Sequence, residues 1–382
     1  MEERTYQEKV QCIIDTFAHK RTDHIPTLAL IGTWAIANAG GTVKEMEEDP
    51  QKEKEYYLKV FDDLQCDAVM TNGIVNDAKS SRIVGNPDMF ISADGTSIQH
   101  LERMAMQEDE YPKLIADAYS FIVNEILPRK ASRFQSYPDN YHAMNELIRH
   151  RMEKAQVEAE LEQELKKRNV PVFNGNVIFP PLDILFDFLR SFKGLAVDLR
   201  RRPEMVEDAC AALLPFSQGF LGLDPTIPEL PKVPVFATMA HSPNFINAKQ
   251  FARFWMPFYM QLVNPILEKG GNVVLNFEGT WSDKLDQLQD LPANRFAFSV
   301  MPEGADKLKR ELGHKAVVVT GIDTNTLKIE SKEACIEEAK RCCDRWGQDG
   351  GYIFATNREL VCANDVKKEN LVAVYDYVCN RT

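Results

Sequence analysis

The stretch Asn272-Val273-Val274-Leu275-Asn276-Phe277-Glu278-Gly279 is a short apolar run that ends abruptly in polar residues and a glycine. It is rich in β-branched and aromatic residues and too short for a helix, so it reads as a β-strand. Seven further runs of the same kind lie at 25–30, 67–71, 170–173, 233–238, 295–300, 316–320 and 351–355. Between them fall periodic apolar stretches such as 43–64, 251–267, 333–345 and 366–378, which read as amphipathic helices. Strict β-then-α alternation implies parallel strands with right-handed crossovers, and eight such units close into a (β/α)8 TIM barrel. A doubly wound open sheet is the alternative. No GxGxxG follows the first strand, which weakens a dinucleotide-binding version of it.

The unit after the second strand is overlong. It holds the segment 87–106, a helix-like run at 110–127 and a charged helix at 141–168, where Glu164 and Arg168 stand at helical neighbour spacing. No composition break sets it apart, so one domain over 1–382 with a helical insertion at about 87–168 is expected. The insertion would pack on the barrel or serve as its lid. The N-terminus, Met1-Glu2-Glu3-Arg4, opens a charged amphipathic helix instead of a signal peptide.

The 382 residues are 44% hydrophobic, enough for a large core. With 45 Lys+Arg against 57 Asp+Glu, the formal charge of −12 argues against nucleic acid or anionic membrane as the main partner. No apolar run is long enough to cross a bilayer. Eight irregularly spaced cysteines with no CxxC pair read as reduced thiols of a cytoplasmic protein.

In such a barrel the active site lies at the carboxyl ends of the strands. Those ends deliver Thr33 and Trp34, then Asn72, Asn174, His241, Asn276 with Glu278, Asp323, and Asn357 with Glu359. His241 and Glu278 follow adjacent strands and are expected to share a metal ion or to form an acid/base pair. Glu359 would be a third metal ligand. Asn72, Asn174, Asn276, Asp323 and Asn357 are expected to bind substrate, and Trp34, Phe179 and Phe186 are aromatics suited to a flat one. Large aromatics are more often plain core. Phe179-Pro180-Pro181-Leu182 reads as a tight loop entering a helix, with proline in its first turn.

Several stretches together resemble the uroporphyrinogen-decarboxylase-like superfamily. They are Phe188-Leu189-Arg190-Ser191-Phe192-Lys193-Gly194 with Arg202-Pro203-Glu204, then Gln250-Phe251-Ala252-Arg253-Phe254-Trp255-Met256-Pro257. Asn276-Phe277-Glu278-Gly279, Gly350-Gly351-Tyr352-Ile353 and Asp365-Val366-Lys367-Lys368-Glu369-Asn370-Leu371 follow in the same order. The resemblance implies a (β/α)8 barrel. The arginine-rich motif that holds propionates in true decarboxylases is missing, since Ala29-Leu30-Ile31-Gly32-Thr33-Trp34-Ala35-Ile36 has no arginine, and Asn72 stands near the place of their aspartate. The other branch of the superfamily is corrinoid-dependent methyltransferases. Its coenzyme M group binds zinc through His-x-Cys and a later Cys, where this chain has Asn276-x-Glu278 and Asn357-Arg358-Glu359. An oxygen-rich site suits an ether oxygen better than a thiol.

The resemblance thus implies a methyltransferase of the anaerobic O-demethylation type. It would move a methyl group from a methoxylated aromatic, or another small methylated compound, to the cob(I)alamin of a separate corrinoid protein. Zinc would be the metal, cobalamin would come with the corrinoid partner, and the assembly would be a monomer or a homodimer. The alternatives are transfer from a methylcorrinoid to a folate or thiol, a decarboxylase-like lyase acting on another acid, and a barrel that only binds.

Overall fold

A computed structural model describes residues 4–173, 176–279 and 281–381. Among the described residues there are ten strands: β1 (Thr27–Ala29), β2 (Ala68–Val69), β3 (Met89–Ile91), β4 (Ile98–His100), β5 (Asn176–Ile178), β6 (Phe236–Ala240), β7 (Val273–Phe277), β8 (Phe296–Val300), β9 (Val317–Ile322) and β10 (Tyr352–Thr356). Eight of them make one parallel sheet in the order β2-β1-β10-β9-β8-β7-β6-β5. Among the described residues the gap between its edges is spanned by one parallel bridge, Val69 to Val172. There Phe173 N donates to Val69 O at 2.8 Å and Val69 N to Pro171 O at 2.9 Å. The sheet is thus an incompletely closed (β/α)8 barrel, and the expected run at 170–173 forms this joint just before β5.

Alternation along each strand sorts the two faces. Val273 and Leu275 point outward into the large core shared with the helices, whereas Val274 packs inside with Ala297, Val317, Val319, Ile353 and Ala355. Ile13 and Phe17 join that inner cluster from the N-terminal helix Tyr6–Phe17, which lies across the N-terminal ends of the strands and stops the barrel there. Thr5 and Glu8 form a reciprocal capping box that starts this helix. Each fully buried aliphatic side chain contributes about 1.5–3 kcal/mol. At the other end the inward row takes on polar side chains beside a thioether. Met239, Asn276 and Ser299 stand in register on β6, β7 and β8.

The expected helix at 43–64 is two helices, Val43–Glu48 and Pro50–Val60. Asp49 caps the second and Pro50 occupies its first turn, where its missing N–H costs nothing. Within the insertion, 87–106 contains the unexpected antiparallel hairpin β3–β4. The run at 110–127 divides into Tyr111–Ala116, Ala118–Phe121 and a π-helical turn Ile122–Ile126, with Asp117 capping the second piece. The charged helix is a single element, Asp139–Lys167. Its buried face carries Ala143, His150, Lys154, Val157, Leu161 and Leu165. Lys154 Nζ reaches Glu53 Oε2 at 3.2 Å and Ile74 O at 2.7 Å, and His150 Nε2 meets Asp77 Oδ2 at 2.9 Å. These buried pairs fix the helix to the barrel wall. Glu164 pairs with Lys167 at 2.6 Å, while Arg168 turns instead to Asp62 at 2.7 Å.

All eight cysteines are free thiols, seven of them buried. Among the described residues no helix is long and apolar enough to cross a membrane.

Candidate active site

His241 is the residue immediately after β6, and its backbone is held from below. Its N–H donates to Asp183 Oδ1 at 2.9 Å, the N–H of Ser242 donates to the same oxygen at 2.8 Å, and Trp255 Nε1 donates to Oδ2 at 2.8 Å. Asp183 stands in the helix Pro181–Ile184, which starts with Pro181 in its first turn as the sequence implies. The carboxyl is fully enclosed, and burial pushes it up to about 6 despite the three donors.

One helical turn later comes Asp187, in the π-helical turn Leu185–Arg190. Both of its oxygens lie 3.0 Å from His241 Nδ1. On the far side of the ring, Glu278 Oε1 lies 3.5 Å from Nε2, an ion-pair contact longer than a good hydrogen bond. Hydrogen bonding to Asp187, then the Glu278 carboxylate, raises the imidazole to about 11, so His241 is an imidazolium at neutral pH. Its side chain is 35% exposed and that of Glu278 49%, which leaves the Nε2 edge open to solvent.

Gly279 follows Glu278 with φ +67°, a conformation glycine adopts without strain. A Cβ there would collide with the Asn244 side chain. The close approach this glycine permits is therefore between the loops after β6 and β7. An aromatic cluster is built from the segments that carry Asp187 and His241: Phe186 stacks on Phe245 with centroids 5.3 Å apart, and Phe192 lies 4.7 Å from Phe245. Phe179 meets Phe188 at 5.4 Å. Phe245, Phe188 and Phe192 remain exposed.

The other residues singled out from the sequence are distributed as follows. Asn276 points inward and sends Nδ2 to Met239 Sδ at 3.0 Å. Asn72 donates to Glu158 O of the insertion helix at 3.3 Å. Asp323 caps the helix Thr324–Ile329, and Asn357 Oδ1 accepts from Thr324 N at 3.0 Å, so the pair ties the loops after β9 and β10 together. Trp34 is buried in the main hydrophobic core. Asn174 lies outside the described residues.

Glu359 keeps contact with solvent but is so hemmed in that burial raises its carboxyl above the usual range. Among the described residues its carboxylate has neither a hydrogen bond nor an ion pair, and Gly32 leaves no room for a Cβ beside its Oε1.

Among the described residues the donors at the mouth are not gathered into a group of three metal-binding side chains. Zinc in a catalytic site takes three protein ligands. Among the described residues the one group of three metal-binding side chains with donor atoms within 4.8 Å of one another is Cys12, Asp23 and His24. The expected set of His241, Glu278 and Glu359 is therefore not gathered. The Cys12 group lies at the opposite, N-terminal end of the barrel. It is a candidate metal-binding group, but both His24 nitrogens already face carboxylates, Nδ1 at 2.7 Å from Asp23 and Nε2 at 3.1 Å from Asp67. Cys12 Sγ stands 3.8 Å from both ring nitrogens, off the line of either lone pair.

The strand-end rule expects His241 and Glu278 to meet, and they lie 3.5 Å apart. It missed Asp183 and Asp187, although two acids four residues apart inside an apolar helical stretch were a visible signal.

Comparison with known proteins agrees with this architecture. Residues 232–380 match the model of the uroporphyrinogen decarboxylase (URO-D) family. No curated protein matches the chain in sequence. Among solved structures, a methyltransferase from Methanosarcina mazei superposes with a TM-score of 0.64 at 16% identity, covering 99% of each chain. The chain therefore has the uroporphyrinogen-decarboxylase-like barrel fold, shared over its whole length with that methyltransferase.

Proposed function

We propose that this protein is a methyltransferase that takes a methyl group from the oxygen of a methoxylated aromatic, or another small methylated compound, and passes it to the reduced corrinoid of a separate protein. The observation that carries the reading is the imidazolium of His241, clamped by Asp187 and open at Nε2 at the mouth of a barrel whose fold a methyltransferase shares.

The partner's cob(I)alamin supplies the nucleophile, so the barrel needs none of its own. What the chain must supply is position and a proton. When the methyl–oxygen bond breaks, its electron pair stays on oxygen, and His241 Nε2 delivers its proton to that oxygen. Glu278 and Asp187 hold the charge of the ring before the transfer, and solvent at the open edge restores the proton afterwards. An acid at about 11 is well matched to a phenol, whose own value is near 10, so the transfer is nearly level in free energy. A positioned general acid of this kind contributes about 10²- to 10⁴-fold in rate. Phe186, Phe192 and Phe245 offer the donor ring a stacking surface on the segments that carry Asp187 and His241. The segment 29–36 after the first strand carries no arginine for a porphyrinogen's carboxylates, which disfavours decarboxylation of that substrate.

The test is anaerobic incubation of the full chain with a reduced corrinoid protein and a panel of methoxyarenes and methylamines, with methylcobalamin measured by absorbance. Methylation with a methoxyarene, lost in His241→Gln, is the expected result. No cobalamin methylation with any donor, or CO₂ release without cobalt, would overturn it.

A further inference from the structure

The insertion helix Asp139–Lys167 buries one face and leaves the opposite one bare. Along that outer face run Tyr141, Met144, Ile148 and Met152, 60%, 43%, 49% and 68% exposed, continued by the exposed Ala155 and Ala159. Spacings of three and four keep all of these on one stripe of the helix. Tyr137, just before the helix, is 80% exposed. Contiguous exposed apolar surface of this kind marks an interface rather than scattered surface residues.

The order of sizes along the stripe identifies the partner. A two-fold axis through Ile148 sets Ile148 against the partner's Ile148 and Met144 against the partner's Met152. The same axis sets Tyr141 against the partner's Ala155. The large aromatic thus meets a small residue, and each of Tyr141, Met144, Ile148 and Met152 meets an apolar one. The flank agrees. Within one residue of that register, Glu146 falls beside the partner's Arg149 and His142 beside the partner's Glu153. A surface that is its own complement on reversal is what an isologous dimer requires, and nothing in a different partner would demand this symmetry. We infer that the chain forms a two-fold homodimer through antiparallel packing of its Asp139–Lys167 helices, with the dyad at Ile148. The inference does not depend on the chemistry at the barrel mouth.

Sedimentation velocity of the full chain at micromolar concentration should give a particle of twice the 43.5 kDa chain mass. Ile148→Glu, which sets two carboxylates face to face on the axis, should give monomer with unchanged circular dichroism and melting temperature, since the side chain is half exposed. Ile148→Cys should form a covalent dimer on mild oxidation, because the native cysteines are buried or partly so. A monomeric wild type would overturn the inference. So would a dimer indifferent to Ile148→Glu, or a monomer in which Ile148→Glu instead weakens turnover with the corrinoid protein, which would assign the stripe to that partner.

Discussion

Replacing Asp187 by Asn tests whether His241 acts as an acid. The amide oxygen can still accept from Nδ1, so the ring keeps its place and loses only the negative charge behind it. In the native chain both carboxylate oxygens lie 3.0 Å from Nδ1. At that distance the bare interaction is about 5 kcal/mol for an effective dielectric of about 20. The imidazole is 35% exposed, so solvent screening cuts this to the roughly 1.5–3 kcal/mol of a charge-assisted hydrogen bond. That weakens the hold on the proton about 10- to 100-fold. The wild-type acid, raised to about 11, keeps its proton across the usable pH range. In Asp187→Asn the basic limb of kcat should descend into that range, while activity near neutral pH changes little. The assay is the initial rate of cobalamin methylation from pH 6.5 to 10, together with NMR titration of the His241 ring proton, assigned by its loss in His241→Gln. A uniform loss of kcat at every pH would mean that Asp187 serves only the architecture. An unmoved limb with a shifted NMR midpoint would mean that His241 is not the acid.

Other changes have equally definite outcomes. Burial alone would lower His24, but Asp67 and Cys12 outweigh it and raise the ring to about 10. That contribution to stability is complete below about 6.5, the ordinary histidine value, and is lost as pH rises through about 10. His24→Gln should therefore flatten the decline of Tm between those limits, as followed by calorimetry. Asp183→Asn should turn one acceptor into a donor facing Trp255 Nε1, destabilise the fold by about 1–3 kcal/mol in urea titrations and lower kcat by loosening the His241 loop. Gly279→Ala forces a side chain into a φ of +67° and into Asn244. It should reduce kcat more than it raises KM, because it displaces Glu278. Leu275→Ala, in the middle of β7 and fully buried, should cost about 2–5 kcal/mol in denaturant titration.

Seven of the eight barrel strands were legible because each is a compact apolar run, and burial demands that pattern; the run at 170–173 supplies only the bridge at Val172, and β5 starts beyond it at Asn176. The ends of those seven moved by one to three residues: β6 runs on to Ala240 and β9 to Ile322, where the ladder continues past the apolar run. The breaks inside the insertion were not legible. Asp117 looks like one more polar residue of a helix, yet its side chain caps a fresh start. The meeting of His241 with Glu278 was legible because a barrel funnels strand ends to one rim. Asp187 could not be found by that rule, since it comes from a π-helical turn between strands and is aimed at the ring by a local change of helical pitch. Trp34 satisfied the same rule, but its bulk and the short helix Trp34–Asn38 took it into the core.

The N-terminal helix that seals the far end with Ile13 and Phe17 turns the barrel into a cul-de-sac. A methyl donor must be inside before a macromolecular acceptor closes over the entrance, and the demethylated product can leave only after the acceptor withdraws. For the transfer proposed here, steady-state kinetics should therefore show a compulsory order, with the small compound first on and last off.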